Sequence, residues 1–192
     1  MSELAIEHAA RRMASVPEAR MLVADVHELP FEPGSFEACR VDRTMLHLAD
    51  PQSALTELGR VLTAGGRLVI NESGSRLEGS ASVTETDVHR AVMERHWREH
   101  ERVAHIRMFL PLLIPRAGFV DLHVETHAAQ SASFDSANRL LRLRSGAEET
   151  VQSGGIAYEA AQKWLTDVRA AMEAGDVVLH SDTFLFVARA PA

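Results

Sequence analysis

The sequence has little of what stabilises extracellular proteins or anchors proteins in membranes. Cys39 is the single cysteine among 192 residues, so no disulfide can form within the chain, and a lone thiol is typical of a reducing cytosol. The longest apolar stretch lies near residues 109–115, contains two prolines, and is far shorter than the ~20 residues that span a bilayer. The charged N-terminus lacks the apolar region of a secretory signal. We therefore expect a cytoplasmic protein with no membrane partner.

Positive charge is also scarce. The chain carries 20 Lys+Arg against 27 Asp+Glu, a net charge of −7, whereas a nucleic-acid partner requires a basic surface that displaces counterions. We therefore expect no nucleic acid as a partner. Apolar residues make up 46% and charged residues 24% of the chain, close to the globular average, which excludes disorder, collagen and a disulfide scaffold. The length predicts a single domain over residues 1–192.

Short apolar segments alternate with helical patterns along the chain. The spacing predicts strands at residues 21–24, 36–41, 67–71, 119–125 and 183–188. It predicts helices at residues 3–14, 84–105, 107–116, 134–149 and 157–174, and a Ser- and Gly-rich loop at 73–82. A further helix begins at Asp50-Pro51, with Asp50 as its N-cap, and ends at Ala64-Gly65-Gly66. This order predicts an α/β fold with a mostly parallel sheet and an antiparallel edge.

Several motifs follow one another in a fixed order over about fifty residues. Asp25 follows a strand, and LPF at residues 29–31 and SFE at 35–37 come next; His47 then precedes Asp50-Pro51, and RVL at 60–62 leads to GGRL at 65–68. In order and spacing these motifs resemble the middle of class I S-adenosylmethionine-dependent methyltransferases, in the small-molecule branch called type 11. The resemblance implies a Rossmann-like fold. It also implies transfer of a methyl group from S-adenosylmethionine to an O, N or C atom of a small-molecule substrate.

The glycine-rich cofactor loop of that family has no counterpart, since no G-x-G-x-x-G occurs in the sequence. The resemblance implies that the family's N-terminal βαβ unit is missing and that helical segments at about 84–116 and 134–174 cover the substrate. Three explanations compete: a truncated fragment or misassigned start, a natural short form that repacks or dimerises, and a degenerate member with a non-catalytic binding or scaffold role. We favour the first. An exposed strand edge makes a homodimer plausible.

The resemblance implies cofactor contacts at the ends of two predicted strands. Asp25 would accept a hydrogen bond from the adenine amino group, and the backbone N–H of Val26 would face a ring nitrogen. Asp42, Arg43 and Thr44 would border both cofactor and substrate, because open α/β sheets bind ligands at the carboxyl ends of their strands. The structural alternatives are that Asp25 caps the turn into the LPF segment, and that residues 42–44 form a helix-start loop with a solvated arginine.

His47 is the candidate general base, because an imidazole can take a proton from a hydroxyl nucleophile near neutral pH. The alternative is a half-buried histidine that packs against the following helix. Glu72, at the end of a predicted strand, would either contact substrate or lie on the surface. Arg60 and the Gly65-Gly66 pair are best explained structurally, because no helix follows the glycines to make a phosphate site.

Histidines also cluster in the helix predicted at residues 84–105. His96 and His100 stand in an H-x-x-E-H pattern, which matches the inverted zinc-peptidase motif, and two histidines four residues apart can share a metal. Such a site needs a third ligand, and five-residue matches arise easily by chance. We therefore favour a polar helix over the substrate pocket and predict no metal. A zinc hydrolase remains the third hypothesis, after a methyltransferase and a non-catalytic binding protein.

Overall fold

A computed structural model describes residues 11–16, 18–98 and 106–192, without the side chains of residues 95–98. The strands and a short 3-10 helix are β1 (Phe36–Asp42), the 3-10 helix (Met45–His47), β2 (Leu62–Gly79), β3 (Val120–Ser131) and β4 (Val177–Arg189). The helices are α1 (Pro51–Val61), α2 (Ala81–Thr84), α3 (Asp87–Arg98), α4 (Ile106–Arg116), α5 (Phe134–Leu141), α6 (Leu143–Gln152) and α7 (Tyr158–Ala174). None of these helices is long and apolar enough to cross a membrane.

The four strands form one sheet in the order β1-β2-β4-β3. β1 runs parallel to β2, whereas β2 with β4 and β3 with β4 are antiparallel. The α/β class is confirmed, and the predicted mostly parallel sheet fits loosely, since one of the three strand pairs in the described ranges is parallel. The β2–β4 pair is continuous from Arg67 opposite Arg189 to Gly79 opposite Val177.

The loop predicted at residues 73–82 is wrong for residues 73–79, which continue β2. Each of these residues lies opposite a residue of β4, and the Ser75 hydroxyl donates to the Ser181 hydroxyl oxygen at 3.2 Å. Serine and glycine have low strand propensity, but pairing with a neighbouring strand overrides propensity. The strand therefore carries the sheet well past its apolar segment.

The strand predicted at residues 21–24 is also wrong. These residues have no regular secondary structure, and Leu22 and Val23 are 52% and 55% exposed. A strand needs a neighbour to take its backbone hydrogen bonds. Among the described residues, β1 is an edge strand of the sheet, and residues 21–24 do not form a strand that pairs with it.

Local signals fix α1 and divide the later helices. The Asp50 carboxylate accepts from Ser53 N–H at 3.0 Å, so the predicted N-cap is confirmed. The predicted stop lies a few residues late, because α1 ends at Val61, and Gly65, with φ +69°, already lies in β2. The single helix predicted at 134–149 is two helices, because Arg142 has φ +53° between α5 and α6. The helix predicted at 3–14 lies outside the described residues up to residue 10, and residues 11–12 are helical.

Two hydrophobic cores lie on opposite faces of β2. We call the first the sheet core; it packs α1 and α4 against the sheet through Leu55, Leu58, Leu68, Ile70, Leu110, Ile114 and Phe186. We call the second the cap core; it joins the far ends of β2 and β4 to the helices through Leu77, Val92, Leu141, Leu143, Trp164, Val168 and Leu179. Leu68 and Ile70 have even numbers and Leu77 an odd one, so they point to opposite faces of the strand.

Gly79 should be the glycine least tolerant of substitution where β2 turns into α2. Its φ is +140°, and an added Cβ would collide with the Asp176 carbonyl oxygen and crowd Val177 Cα. We expect Gly79→Ala to lower the free energy of unfolding by about 3 kcal/mol, through strain and collision with backbone. Gly154→Ala is the matched control, since Gly154 has φ +74° but open space around it, and should cost about 1 kcal/mol. Urea unfolding measures both, and equal losses would contradict the collision.

Candidate functional site

The predicted ligand residues after β1 lie at the carboxyl end of the parallel β1–β2 pair. Asp42 lies opposite Asn71, and its carboxylate accepts from the Asn71 side-chain amide at 3.0 Å and from the Arg40 guanidinium at 2.8 Å. This end of an open α/β sheet is where such folds bind ligands. The structure therefore places Asp42 at the predicted edge, with its carboxylate held in a fixed orientation.

Residues 43–48, which we call the edge loop, connect β1 to the segment before α1. Arg43 has φ +47°, and its backbone N–H donates to the Asn71 carbonyl at 2.8 Å. The Thr44 hydroxyl donates to the Asp42 carbonyl at 3.0 Å. His47 ends the 3-10 helix and is exposed, so the half-buried alternative does not describe it. One short loop at the carboxyl end of β1 thus holds Arg43, Thr44 and His47.

Glu72 is a buried carboxyl beneath the edge loop. The residue is 1% exposed, its Oε1 accepts from Met45 N–H at 3.0 Å, and its Oε2 has no hydrogen-bond partner. Burial raises the pKa of Glu72 to about 7 and the charge of Asp42 adds to this, while the backbone N–H groups of residues 44–46 oppose it. The surface alternative is wrong. Strand alternation could have found this, because Glu72 shares the buried face of Leu68 and Ile70.

Asp25 lies in the turn before the LPF segment and is paired with a residue that sequence reasoning missed. Its Oδ1 accepts from His27 N–H at 2.9 Å and lies 2.6 Å from His27 Nδ1, while His27 Nε2 lies 3.1 Å from the Asp50 carbonyl. This pairing lowers the pKa of Asp25 and raises the pKa of His27. Asp25 therefore caps its turn and remains 69% exposed at the side chain. An Asp followed two residues later by His was the available signal.

Two residues of α1 clamp the LPF segment. Glu57 accepts from Leu29 N–H at 2.7 Å, and Arg60 donates to the Phe31 carbonyl at 2.9 Å and to the Leu29 carbonyl at 3.2 Å. Arg60 also donates to Glu57 at 2.7 Å, and this ion-paired hydrogen bond lowers the pKa of Glu57 to about 2. The predicted structural role of Arg60 is confirmed. The clamp holds the segment that follows Asp25 and Val26 against the start of the sheet.

A cavity of about 350 Å³ lies between the end of β2 and the helices α2 and α3. It is lined by Arg76, Leu77, Glu78, Gly79, Thr84, His89 and Met93. His89 packs edge-on against Trp164 with ring centroids 5.7 Å apart, and burial lowers its pKa. Arg76 is paired with Glu78 at 2.6 Å and Asp182 at 3.1 Å. The lining therefore offers a buried imidazole and paired charges beside apolar side chains.

The zinc hypothesis falls on residues that the structure does not describe. The side chain of His96 and the whole of His100 lie outside the described parts of the chain. Among the side chains that are described, no group of three His, Cys, Asp or Glu residues is arranged to hold a metal ion.

Residues 1–70 match the family model described as a methyltransferase domain, of type 11. Over this segment the chain is similar to the methyltransferase domain family. The match confirms the resemblance predicted from the LPF, Asp-Pro and Gly-Gly motifs. It covers Asp25, the edge loop and α1.

Three further proteins are similar to this chain. An uncharacterised 37.1 kDa protein in a transposon of Streptomyces fradiae is 32% identical over 169 residues, which are 88% of this chain and 49% of that protein. The demethylmenaquinone methyltransferase of Thermus thermophilus is 46% identical over 65 residues, which are 33% of this chain and 30% of the enzyme. A phosphoethanolamine N-methyltransferase of Haemonchus contortus, solved with S-adenosylhomocysteine, has a TM-score of 0.52 at 19% identity. That match covers 96% of this chain and 40% of the enzyme, and it shows a shared fold.

The chain spans about half the length of the Streptomyces relative and about a third of the menaquinone enzyme. These comparisons therefore support the fold and the family match over residues 1–70.

Removing the Arg60 clamp should destabilise the protein in a pH-dependent way. The folded-state pKa of Glu57 lies below its ordinary value, so its stabilisation is present above about pH 4.5 and is lost as the pH falls through about 2. We expect Arg60→Met to lower the free energy of unfolding at pH 7, with a smaller difference at pH 3. Urea unfolding at both pH values measures this.

Arg90→Met is the matched control for this prediction. It removes another arginine paired three residues away, from Asp87, at 2.8 Å on exposed α3. An exposed pair should contribute less than about 0.5 kcal/mol. A loss for Arg60→Met as small as that for Arg90→Met would contradict the clamp.

Proposed function

We propose that this chain binds S-adenosylmethionine at the carboxyl edge of β1 and β2 and serves methyl transfer to a small-molecule acceptor. The observation that carries the proposal is the methyltransferase family match over residues 1–70, which include Asp42 and the edge loop at that edge. The Haemonchus enzyme of the same fold holds S-adenosylhomocysteine. Ligand binding at this edge is general for open α/β sheets.

The described residues suit the adenosine end of the cofactor. Asp25 keeps an exposed carboxylate after pairing with His27, so it can accept from the adenine amino group while Val26 N–H faces a ring nitrogen. Asp42, Arg43 and Thr44 would border the cofactor and the acceptor. The sequence has no G-x-G-x-x-G, so we assign no residue to the methionine end.

Bound cofactor would supply the reactive sulfonium methyl group, and the protein supplies orientation. In this proposal the exposed imidazole of His47 removes a proton from the acceptor nucleophile, which needs a base near neutral pH. The cavity beneath α2 and α3 supports a small acceptor, because small-molecule sites are concave and mostly apolar with a few polar groups. Residues 84–116 and 134–174 would cover that acceptor within one domain.

A second candidate is a binding or scaffold protein without catalysis. It is favoured by the missing G-x-G-x-x-G, the motif whose backbone approaches phosphates and cofactors in related folds. The two candidates differ in whether the folded chain binds the cofactor.

Calorimetric titration with S-adenosylmethionine and S-adenosylhomocysteine tests the proposal. We expect binding in the micromolar range, which corresponds to about −8 kcal/mol, and a roughly tenfold weaker affinity for Asp25→Ala, since one charged hydrogen bond is lost. Asp87→Ala is the control, because Asp87 is an exposed carboxylate on α3, and should leave the affinity unchanged. No binding by folded protein would favour the scaffold candidate. Equal affinities of Asp25→Ala and the parent chain would remove the adenine role.

We further infer that the chain forms a homodimer through the β1 edge. In the described ranges β1 pairs on one side, and an unpaired strand edge favours association with another strand. Light scattering after size exclusion should give twice the 21.1 kDa mass of one chain. A mass of one chain across the concentrations tested would contradict the dimer.

A further inference from the structure

The edge loop rests on two successive residues of β2. Asn71 accepts the Arg43 N–H at 2.8 Å and donates to Asp42 at 3.0 Å. Glu72, the next residue, accepts from Met45 N–H at 3.0 Å and also faces the N–H groups of Thr44 and Leu46. The whole turn of backbone from residue 43 to residue 46 is therefore oriented by this one position in the sheet.

Glu72 is an expensive residue for a purely structural position. It is 1% exposed, its Oε2 lacks a hydrogen-bond partner, and no ion pair to it is found among the described residues. A buried carboxyl without full hydrogen-bond partners is costly relative to an apolar side chain of similar volume. Leu68 and Ile70 on the same face of β2 show what packing alone would select.

We propose that Glu72 is the positioning residue of the edge loop, holding the 3-10 turn at Met45 so that Thr44 and His47 meet the ligand. Met45 itself is fully buried, so the turn is fixed from below by an apolar side chain and by a carboxyl acceptor. The loop-holding role stands on the hydrogen bonds alone. The effect on the ligand rests on the proposed function.

Amide exchange at single residues tests the loop-holding role without any ligand. Glu72→Met keeps the volume but removes the acceptor, so exchange at Met45 and Leu46 should rise by roughly tenfold or more through local opening. Glu72→Gln keeps an acceptor and should restore exchange to within about threefold of the parent chain. Amides of the β2–β4 pair should not change in either variant.

Glu57→Met is the matched control. Glu57 is also a carboxylate that accepts from a loop N–H, at Leu29, so its loss should raise exchange at Leu29 and leave Met45 unchanged. If Glu72→Met does not fold, Glu72→Asp replaces it, because the shorter side chain withdraws the carboxyl from Met45. Unchanged Met45 exchange in the folded variant, or a rise spread equally over the sheet, would overturn the proposal.

Titration with S-adenosylhomocysteine then tests the effect on the ligand. We expect roughly fivefold weaker binding by Glu72→Met and less than about twofold by Glu72→Gln, since the conservative variant keeps the loop in place. Raised exchange with unchanged affinity would overturn the ligand role. If the parent chain binds no cofactor while exchange still rises in Glu72→Met, the proposed function fails and the loop-holding role stands.

Discussion

The carboxyl end of the β1–β2 pair, where the edge loop lies, depends on the antiparallel pairing of β2 with β4. Thirteen residue pairs join the two strands, and this length extends β2 from the apolar segment at its start to the cap helices at its end. One strand thereby supplies Leu68 and Ile70 to the sheet core and Leu77 to the cap core. Because side chains alternate along a strand, these two cores lie on opposite faces. The strand β2 therefore sets the position of the cap core relative to the edge loop.

The same alternation explains why Glu72 lies where it does. Continuing the buried face from Leu68 and Ile70 places residue 72 beneath the loop that leaves β1, since β1 and β2 are parallel and end at the same edge. An apolar side chain there would fill space but could not accept a backbone N–H. The carboxyl satisfies a buried donor of the 3-10 turn, which would otherwise lose both water and partner.

Local signals predicted the parts of the fold that local interactions form. Asp50 and Pro51 mark the start of α1 because the cap bonds lie within the same turn, and the apolar segment at residues 67–71 is buried as expected. Residues 73–79 could not be predicted, because their strand exists through a partner about a hundred residues away in the sequence. The strand predicted at residues 21–24 is absent for the reverse reason. In the described ranges this apolar segment has no adjacent strand to accept its backbone hydrogen bonds. Among site residues, Asp42 and His47 lie at the predicted edge, while the burial of Glu72 required the register of β2.

The residues of the methyltransferase-like motifs, and their neighbours, make hydrogen bonds mainly to backbone groups. Glu57 and Arg60 hold residues 29–31, Asp50 caps α1, and Asp25 caps its own turn through His27. These bonds orient the backbone around residues 25–31 and the start of α1, and they leave the Asp25 carboxylate largely exposed. The family match over these motifs therefore reports how this backbone is held rather than the chemistry performed there. That distinction makes cofactor binding, and not the presence of the motifs, the property that separates an enzyme from a scaffold of the same shape.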